Sequence, residues 1–325
     1  MRFFNKKMQE IMMKVSIIVP IYNEEESLDL LYDAVEKAAN SMKNPWELIL
    51  VDDGSNDASR EKIKSIVSKY SDRVSAVILR RNFGQTAAIA AGIDNSTGEI
   101  IVLLDADLQN DPADIPLMIS KLQEGYDLVS GWRYHRQDKF LTRTLPSRIA
   151  NWLISSVTGV KLHDYGCTLK AYRREVLTGF RLYGEMHRFI PVYADSIGAK
   201  IIEVKVHHHE RKFGHAKYGL ERTFKVILDL FTVKFLTAFS NKPIYLFGGT
   251  GLGLIIVSFL ALLFLAIRRI TQKISPFSSP LFTIAIMVAI LGFQSILMGL
   301  IAELLSRTYH ESQDKPVYTI RERIK

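Results

Sequence analysis

The sequence predicts an α/β protein, with a mostly parallel sheet flanked by helices, followed by an amphipathic interfacial helix and two transmembrane helices. Between residues 15 and 130, short runs rich in β-branched residues alternate with segments of helical periodicity. That alternation is typical of parallel strands joined by crossover helices. Near the C-terminus, residues 244–267 and 281–302 carry no charge over 24 and 22 residues. Each run is long enough to cross a hydrocarbon layer as a helix.

The strands of the α/β part are short and apolar. Residues 100–104 are apolar throughout, as expected for a strand that is buried on both faces. The predicted strands are residues 15–19, 48–51, 74–79, 100–104 and 127–130, with a further strand near 201–206.

The segments between the strands carry helix signals. Pro112 stands in a first helical turn, where its missing N–H costs nothing, and either Asn56 or Asp57 is placed to cap the second helix. The predicted helices are residues 24–41, 57–70, 85–95 and 112–124. Because strands and helices alternate, we expect helices on both faces of the sheet.

Residues 220–239 place apolar side chains at helical spacing, with Arg222, Lys225 and Lys234 at other positions. An ordinary core helix has the same pattern, but the position just before an apolar run favours a helix in the membrane interface. The predicted segments are an N-terminal extension (1–13), an α/β domain (14–219), an amphipathic juxtamembrane helix (220–242), a two-helix transmembrane hairpin (243–306) and a polar C-terminal tail (307–325).

The net charge of +8 indicates anionic partners. No nucleic-acid-binding motif is visible, so we expect a membrane surface and phosphate groups rather than nucleic acid.

Residues 1–13 lack the apolar stretch of a cleavable signal peptide. Basic residues outside the hairpin outnumber Arg268, Arg269 and Lys273 between its spans, which favours a plasma or inner membrane protein whose α/β domain faces the cytoplasm. The single cysteine, Cys167, excludes an internal disulfide.

Asp105 and Asp107 directly follow the apolar strand 100–104, and Gln109 stands two residues further on. Open α/β sheets bind ligands outside the carboxyl ends of their strands, so these side chains should face a binding crevice. Two carboxylates and an amide are hard oxygen ligands that suit Mg²⁺ or Mn²⁺. A plain polar loop gives the same short pattern, so the interpretation depends on the neighbouring loops.

Two more polar loops follow predicted strands, at residues 20–24 and 52–57. Tyr22 offers an aromatic face, while Glu24, Asp52 and Asp53 offer acceptors for the N–H and hydroxyl groups of a nucleoside. Taken alone, each loop is equally consistent with a turn or a helix cap. Together with the acidic loop, at one edge of a parallel sheet, they indicate a site for a nucleoside diphosphate.

Four stretches carry a resemblance to a known family: Ser-Ile-Ile-Val-Pro-Ile-Tyr-Asn-Glu-Glu (16–25), Val-Asp-Asp-Gly-Ser-Asn-Asp (51–57), Arg-Asn-Phe-Gly-Gln (81–85) and Leu-Asp-Ala-Asp-Leu-Gln (104–109). They resemble glycosyltransferase family two, whose members are inverting enzymes of the GT-A fold. The chain looks most like the polyprenyl-phosphate glycosyltransferases, of the GtrB and dolichol-phosphate mannose synthase types. The resemblance covers residues 14–240 by motif, and the two C-terminal spans match the GtrB arrangement.

The resemblance implies roles for named residues. Pro20, Tyr22, Glu24, Asp52 or Asp53, and Arg81 would hold the nucleotide; Asp105, Asp107 and Gln109 would hold the metal and diphosphate. Arg133, Arg143 and Ser147 would bind the acceptor phosphate, with Ser147 capping a helix that runs to about residue 156. Arg211 and Lys217 lie in a basic loop that would neutralise diphosphate or acceptor charge, and Asp164 resembles a family acid that orients the sugar or the attacking phosphate. Solvated surface arginines remain an alternative for the acceptor site.

The histidine run at 207–209 has a different interpretation. Neighbouring side chains on a strand point to opposite faces, so three adjacent histidines cannot easily share one metal ion, and we expect a structural or surface role.

The implied reaction moves one sugar from a nucleotide-diphosphate sugar, such as UDP-glucose, to polyprenyl (undecaprenyl) phosphate. The Gln-x-x-Arg-Trp motif of polymer-forming relatives is missing, which favours a single transfer. Two alternatives stay open: a glycosyltransferase with a saccharide or protein acceptor, and a non-catalytic membrane-bound nucleotide-sugar-binding module. The sequence leaves open the sugar, the choice of uridine or guanosine, and whether the chain forms a homo-oligomer.

Overall fold

The computed structural model describes residues 12–134, 145–178, 182, 186–210, 244–273, 275, 277, 279–312 and 317–325. The chain divides into two compact units. The first comprises Met1–Val233 and Pro316–Lys325, and the second comprises Lys234–Lys315. The predicted juxtamembrane helix at 220–242 lies outside the described residues.

The first unit contains an eight-stranded sheet in the order β7-β5-β6-β4-β1-β2-β3-β8. Its strands are β1 (Val15–Ile21), β2 (Trp46–Asp52), β3 (Val74–Leu79), β4 (Ile100–Leu103), β5 (Leu128–Arg133), β6 (Lys170–Arg173), β7 (Ile201–Val206) and β8 (Ile320–Ile324). Strands β6 and β8 run antiparallel to their neighbours, whereas the other six share one direction. The carboxyl ends of those six strands therefore open at the same edge, as the βα alternation predicts.

Helices cover the faces of this sheet. They are α1 (Leu28–Asn40), α2 (Ser59–Lys69), α3 (Gln85–Asp94), α4 (Ile115–Gln123), α5 (Leu145–Thr158) and α6 (Ile190–Ser196). Helix α1 buries Leu28, Leu31 and Val35, which recur at helical spacing. Helix α3 packs closely on β1, because a Cβ atom at Gly92 would lie 2.2 Å from Cγ2 of Ile18. Alanine at position 92 would therefore push the helix off the sheet.

Strands β6 and β8 were not predicted. Strand β6 has four residues and contains a buried lysine, so neither its length nor its polarity marks it as a strand. The predicted polar tail at 307–325 is corrected, because residues 320–324 form β8 against β3. Tyr318 anchors this segment by donating its hydroxyl hydrogen to Asp94 over 2.7 Å. Strand β8 covers the edge of β3, whose N–H and C=O groups would otherwise lack strand partners.

The second unit contains two long helices, α7 (Ile244–Gln272) and α8 (Pro280–Ser312). By length and composition both can cross a membrane, because 18-residue stretches within residues 247–272 and 280–302 reach mean hydropathies of 2.6 and 2.4. The helices approach closely where Gly251 faces Gly292, since a Cβ on Gly251 would lie 2.5 Å from the Gly292 carbonyl oxygen. Ser258 donates to the Ala285 carbonyl over 2.7 Å. Small residues at a close crossing are typical of membrane helices, and the pair fits an integral membrane protein.

Candidate active site

The polar loops predicted to meet do lie at one edge of the sheet. These three loops follow β1, β2 and β4, and the loops after β3 and β5 open at the same edge. The first two loops are tied together by side chains: the amide N–H of Asn23 donates to Ser55 Oγ over 3.0 Å, and that of Asn56 donates to Asn23 Oδ1 over 2.8 Å. Asn23 has a φ of 51°, a left-handed conformation that asparagine tolerates better than most residues. Asn23 and Ser55 thus hold the two loops together, a role that the sequence did not predict.

The loop after β4 carries the predicted metal ligands. Asp105, Asp107 and Gln109 are all half-buried. Gln85 Nε2 donates to Asp105 Oδ1 over 2.8 Å, and Asp107 Oδ1 accepts from the Gln109 N–H over 3.1 Å. Leu108, at a φ of 59°, turns the chain between Asp107 and Gln109.

This loop supplies an incomplete set of oxygen ligands. Within the ranges that the structure describes, no group of three or more His, Cys, Asp or Glu side chains is arranged to hold a metal ion. Two carboxylates and an amide fit a Mg²⁺ or Mn²⁺ ion that takes its remaining oxygens from water and substrate phosphates. A closed structural metal centre does not fit these residues.

The two aspartates at the end of β2, Asp52 and Asp53, are buried and brace neighbouring loops. Asp52 Oδ1 accepts from the Ser55 N–H over 3.0 Å, and Oδ2 lies 3.4 Å from Arg60 Nε. Asp53 accepts from the N–H groups of Phe83 and Gly84 over 2.7 and 2.9 Å. Burial raises the pKa of the Asp53 carboxyl to about 6, although these two N–H groups act in the opposite direction. Both carboxylates therefore fix the backbone of the crevice.

Arg81, in the loop after β3, is exposed, and its guanidinium carbon lies 4.4 Å from the ring centroid of Phe83. This loop packs tightly on the loop after β2. A Cβ on Gly54, which has a φ of 71°, would lie 2.5 Å from the carbonyl carbon of Arg81. Glycine is thus required here both for its left-handed backbone and for the close approach.

The predicted acceptor side contains a bidentate ion pair. Arg133, the last residue of β5, places Nε 2.7 Å from Asp164 Oδ2 and Nη2 2.9 Å from Asp164 Oδ1. The two side chains are 14% and 3% exposed. Two parallel hydrogen bonds from one guanidinium fix the relative orientation of the two groups. Asp164 is therefore an orienting group for Arg133.

Other predicted acceptor residues are placed differently or not described. Ser147 was predicted to cap the helix, but α5 begins at Leu145, so Ser147 lies within its first turn. Pro146 explains the earlier start, because the second position of a helix tolerates a residue without an N–H. Arg143, Arg211 and Lys217 lie outside the described residues.

The histidine run has the structural role that we predicted. His207 Nδ1 lies 2.8 Å from Asp114 Oδ1, and His209 Nε2 lies 3.0 Å from Asp111 Oδ2. The hydrogen bond to Asp114 raises the pKa of His207. The N–H of His209 donates to the Gln109 carbonyl over 2.8 Å. These contacts fasten the segment after β7 to the loop that carries the predicted metal ligands.

Comparison with known proteins identifies the family. The family model described as Glycosyl transferase family 2 matches residues 16–180, which is half of the chain. The chain belongs to glycosyl transferase family 2. The resemblance in the four motifs is thereby confirmed, and the protein is a glycosyltransferase.

Relatives of this glycosyltransferase align along nearly its whole length. Dodecaprenyl-phosphate galacturonate synthase from Rhizobium johnstonii is 43% identical over 313 residues, covering 95% of this chain and 93% of the relative. The undecaprenyl-phosphate 4-deoxy-4-formamido-L-arabinose transferase of Yersinia enterocolitica is 37% identical over 309 residues, with coverages of 95% and 93%. Both relatives are named for a polyprenyl phosphate and a sugar, as expected for the branch of the family that the sequence resembles.

Solved structures support the fold of the transferase. Glucosyl-3-phosphoglycerate synthase from Mycobacterium tuberculosis, crystallised with Mn²⁺, UDP and phosphoglyceric acid, aligns with a TM-score of 0.51. The two chains are 21% identical, and the alignment covers 68% of this chain and 78% of that one. The predicted GT-A-like sheet with flanking helices is confirmed.

Proposed function

We propose that this glycosyltransferase moves a single sugar from a nucleotide-diphosphate sugar to a polyprenyl phosphate, giving a lipid-linked sugar monophosphate. The similarity to the dodecaprenyl-phosphate galacturonate synthase carries this proposal, because it spans 95% of the chain and therefore includes both apolar helices. We take undecaprenyl phosphate as the acceptor, and UDP-glucose or a related UDP-sugar as the donor.

The loops after β1, β2 and β3 form the nucleotide end of the proposed site. Tyr22 and Glu24, both half-buried, contact the nucleoside together with Pro20. Asp52 and Asp53 contribute through the loops that they brace, and Arg81 reaches the phosphates. Asp105, Asp107 and Gln109 would hold Mg²⁺ or Mn²⁺, ions present in crystals of the glucosyl-3-phosphoglycerate synthase. Such an ion supplies charge stabilisation for the departing diphosphate when it is bound.

The acceptor brings its own nucleophile. A phosphate monoester has a second pKa near 6, so its oxygen is mostly ionised at neutral pH. That oxygen bonds to the anomeric carbon while the nucleoside diphosphate leaves from the opposite face, which inverts the anomeric configuration. The chain does not need a general base, which agrees with an Asp164 committed to Arg133. Its contribution is to orient the reactants and to stabilise developing charge.

Arg133 lies in the part of the proposed phosphate-binding site that the structure describes. We assign four further residues to the charge of the acceptor or the diphosphate: Arg143, Ser147, Arg211 and Lys217. A planar guanidinium suits phosphate because it donates two parallel hydrogen bonds. We further propose that α7 and α8 both span the plasma or inner membrane, with the catalytic unit facing the cytoplasm.

The test is the release of nucleoside diphosphate by the purified full-length protein. A panel of UDP- and GDP-sugars, including UDP-glucose and UDP-galacturonate, is assayed with Mg²⁺, Mn²⁺ or EDTA, with and without undecaprenyl phosphate. We expect release with one donor only when the lipid and a divalent ion are present. Release without lipid would point instead to a saccharide or protein acceptor or to hydrolysis. Donor binding without release under any condition would indicate a non-catalytic module.

A further inference from the structure

Glu203, on β7, directs its carboxylate at the turn formed by His163 and Asp164. Oε1 accepts from the N–H of His163 over 2.9 Å and from that of Asp164 over 3.0 Å. Oε2 lies 2.6 Å from Nδ1 of the His163 ring. The Glu203 side chain is only 10% exposed. A carboxylate this buried needs strong hydrogen bonds to offset its lost hydration, and this turn supplies them.

The same turn carries the Asp164 carboxylate, which forms the ion pair with Arg133. The Asp164 backbone N–H contacts Glu203, while the Asp164 side chain forms the bidentate pair with the guanidinium. Glu203 and Arg133 lie on neighbouring strands, since β7 pairs with β5. The three residues thus form a chain of contacts in which Glu203 holds the turn, the turn fixes Asp164, and Asp164 fixes the plane of Arg133.

Two further contacts restrict the turn. Lys170, fully buried on β6, donates from Nζ to the carbonyl oxygens of Tyr165 and Cys167. The ring of His163 stacks on Trp132 with centroids 4.1 Å apart. These contacts hold the residues after Asp164 and the ring before it, whereas Glu203 binds the N–H of Asp164 itself.

Gly166 allows the parts of this cluster to lie close together. A Cβ atom there would stand 3.2 Å from Arg133 Nη2, 3.5 Å from Asp164 Oδ1 and 3.9 Å from Arg188 Nη1. The backbone therefore passes directly beside the guanidinium, and a shift of the turn must move Arg133 as well. Small displacements of a charged group that orients a reactant reduce catalysis strongly.

We propose that Glu203 is a positioning residue for the acceptor phosphate, acting through Asp164 on Arg133. The proposal rests on the proposed function, in which Arg133 receives the phosphate of the lipid. A long arginine side chain loses considerable rotamer entropy when it binds an anion, and prior fixing of its plane removes that cost from the binding step. Loss of Glu203 should therefore weaken acceptor binding while leaving the donor side of the crevice unchanged.

The experiment measures KM for undecaprenyl phosphate, KM for the nucleotide-sugar, kcat and the unfolding midpoint of the full-length protein. Glu203→Ala should raise the acceptor KM about tenfold, with the donor KM within about twofold of the wild type. Glu203→Gln should raise it less, because the amide oxygen still accepts from the N–H groups of the turn. Glu175→Gln, a change at an exposed carboxylate outside the site, is the matched control and should alter neither KM.

A double-variant cycle separates positioning from general support of the fold. Arg133→Lys removes the bidentate geometry, so adding Glu203→Ala to it should raise the acceptor KM little further. The proposal would be overturned if the effects of the two substitutions on the acceptor KM were additive in free energy. It would also be overturned if Glu203→Ala changed both KM values equally and lowered the unfolding midpoint. If the wild type needs the lipid but Glu203→Ala leaves the acceptor KM unchanged, only the positioning role fails. If the wild type turns over without lipid, the proposed function fails and the role of Glu203 fails with it.

Discussion

Glu47, on β2, shows how a single residue joins β1 and the turn before β4 at the edge of the sheet opposite the candidate site. Its carboxylate accepts from Lys14 Nζ over 2.6 Å, from Ser16 Oγ over 2.6 Å and from the Thr97 N–H over 2.7 Å. Burial acts to raise the pKa of Glu47, but these hydrogen bonds outweigh it and lower the pKa to about 2. The ionised form is therefore favoured in the folded state.

This lowered pKa predicts an acid-sensitive contribution to stability. The contribution is fully present above the ordinary pKa of 4.5 and is lost as the pH falls towards 2, because the unfolded chain binds the proton first. We expect Glu47→Gln to lower the free energy of unfolding by about 2 kcal/mol at pH 7 and by much less near pH 3. Chemical denaturation at the two pH values measures the difference. An equal loss of unfolding free energy at the two pH values would contradict the lowered pKa of Glu47. Glu61→Gln, at an exposed position, serves as the control.

Asp107 belongs to the opposite edge, and its replacement tests the metal assignment. In Asp107→Asn the side-chain oxygen can still accept from the Gln109 N–H, so the loop should keep its shape while losing one negative charge. We expect turnover to fall at least about 100-fold, in the range found when a key electrostatic contact is removed, with an unchanged unfolding midpoint. Asp72→Asn, an exposed change, should retain full activity. Full activity of Asp107→Asn, measured as nucleoside diphosphate release, would refute the role given to this residue.

Sequence patterns locate carboxylates better than they locate the partners of those carboxylates. Asp52, Asp53, Asp105 and Asp107 are predictable candidates because they stand at the ends of apolar strands. That Asp53 accepts from residues 83 and 84, or that Asp164 pairs with Arg133, depends on contacts about 30 residues apart along the chain. Such contacts produce no periodic pattern in the sequence. The contacts of Glu203 with residues 163 and 164 are likewise distant along the chain, so the sequence did not predict them.

At the scale of elements, the parallel strands were predictable and the antiparallel ones were not. Strands β1 to β5 and β7 combine β-branched residues with a following turn or polar loop. Strand β6 contains Lys170, whose charge is solvated by carbonyl groups from a preceding loop, and burial lowers the pKa of its ammonium. Strand β8 has charged side chains at three of its five positions. Both strands pair with strands that are distant along the chain, which a local pattern does not record.

Strand β8 should stabilise the sheet mainly through its backbone and Ile324, which packs against the core. We expect deletion of residues 318–325 to lower the unfolding midpoint of the catalytic unit by several degrees, because the edge of β3 and its apolar neighbours become exposed. Glu322→Gln, which removes only the exposed pair with Lys64, should change the midpoint by less than about one degree. Thermal unfolding followed by circular dichroism compares the variants. Equal midpoints for the deletion and the wild type would show that β8 contributes nothing to stability.

At the scale of the whole molecule, connectivity constrains membrane sidedness. The chain before α7 supplies β1 to β7, and the chain after α8 supplies β8 of the same sheet. If both helices span, the two ends of the hairpin must emerge on one side, and residues 273–279 must lie on the other. The apolar runs predicted the hairpin, and the shared sheet is an independent reason to place both of its ends on one side. Which side that is depends on the charge distribution, which favours the cytoplasm only modestly.

Cysteine labelling tests this topology directly. Cys167, the sole cysteine, is buried, so Cys167→Ser provides a background without accessible thiols. In that background, Ser275→Cys should react with a membrane-impermeant maleimide in intact cells, because residue 275 lies between the two helices. Ser71→Cys, at an exposed position of the catalytic unit, should react only after the membrane is opened, since nucleotide-sugars are cytoplasmic. The reverse pattern would place the catalytic unit outside. Labelling of both cysteines in intact cells would mean that the two helices do not both cross the membrane.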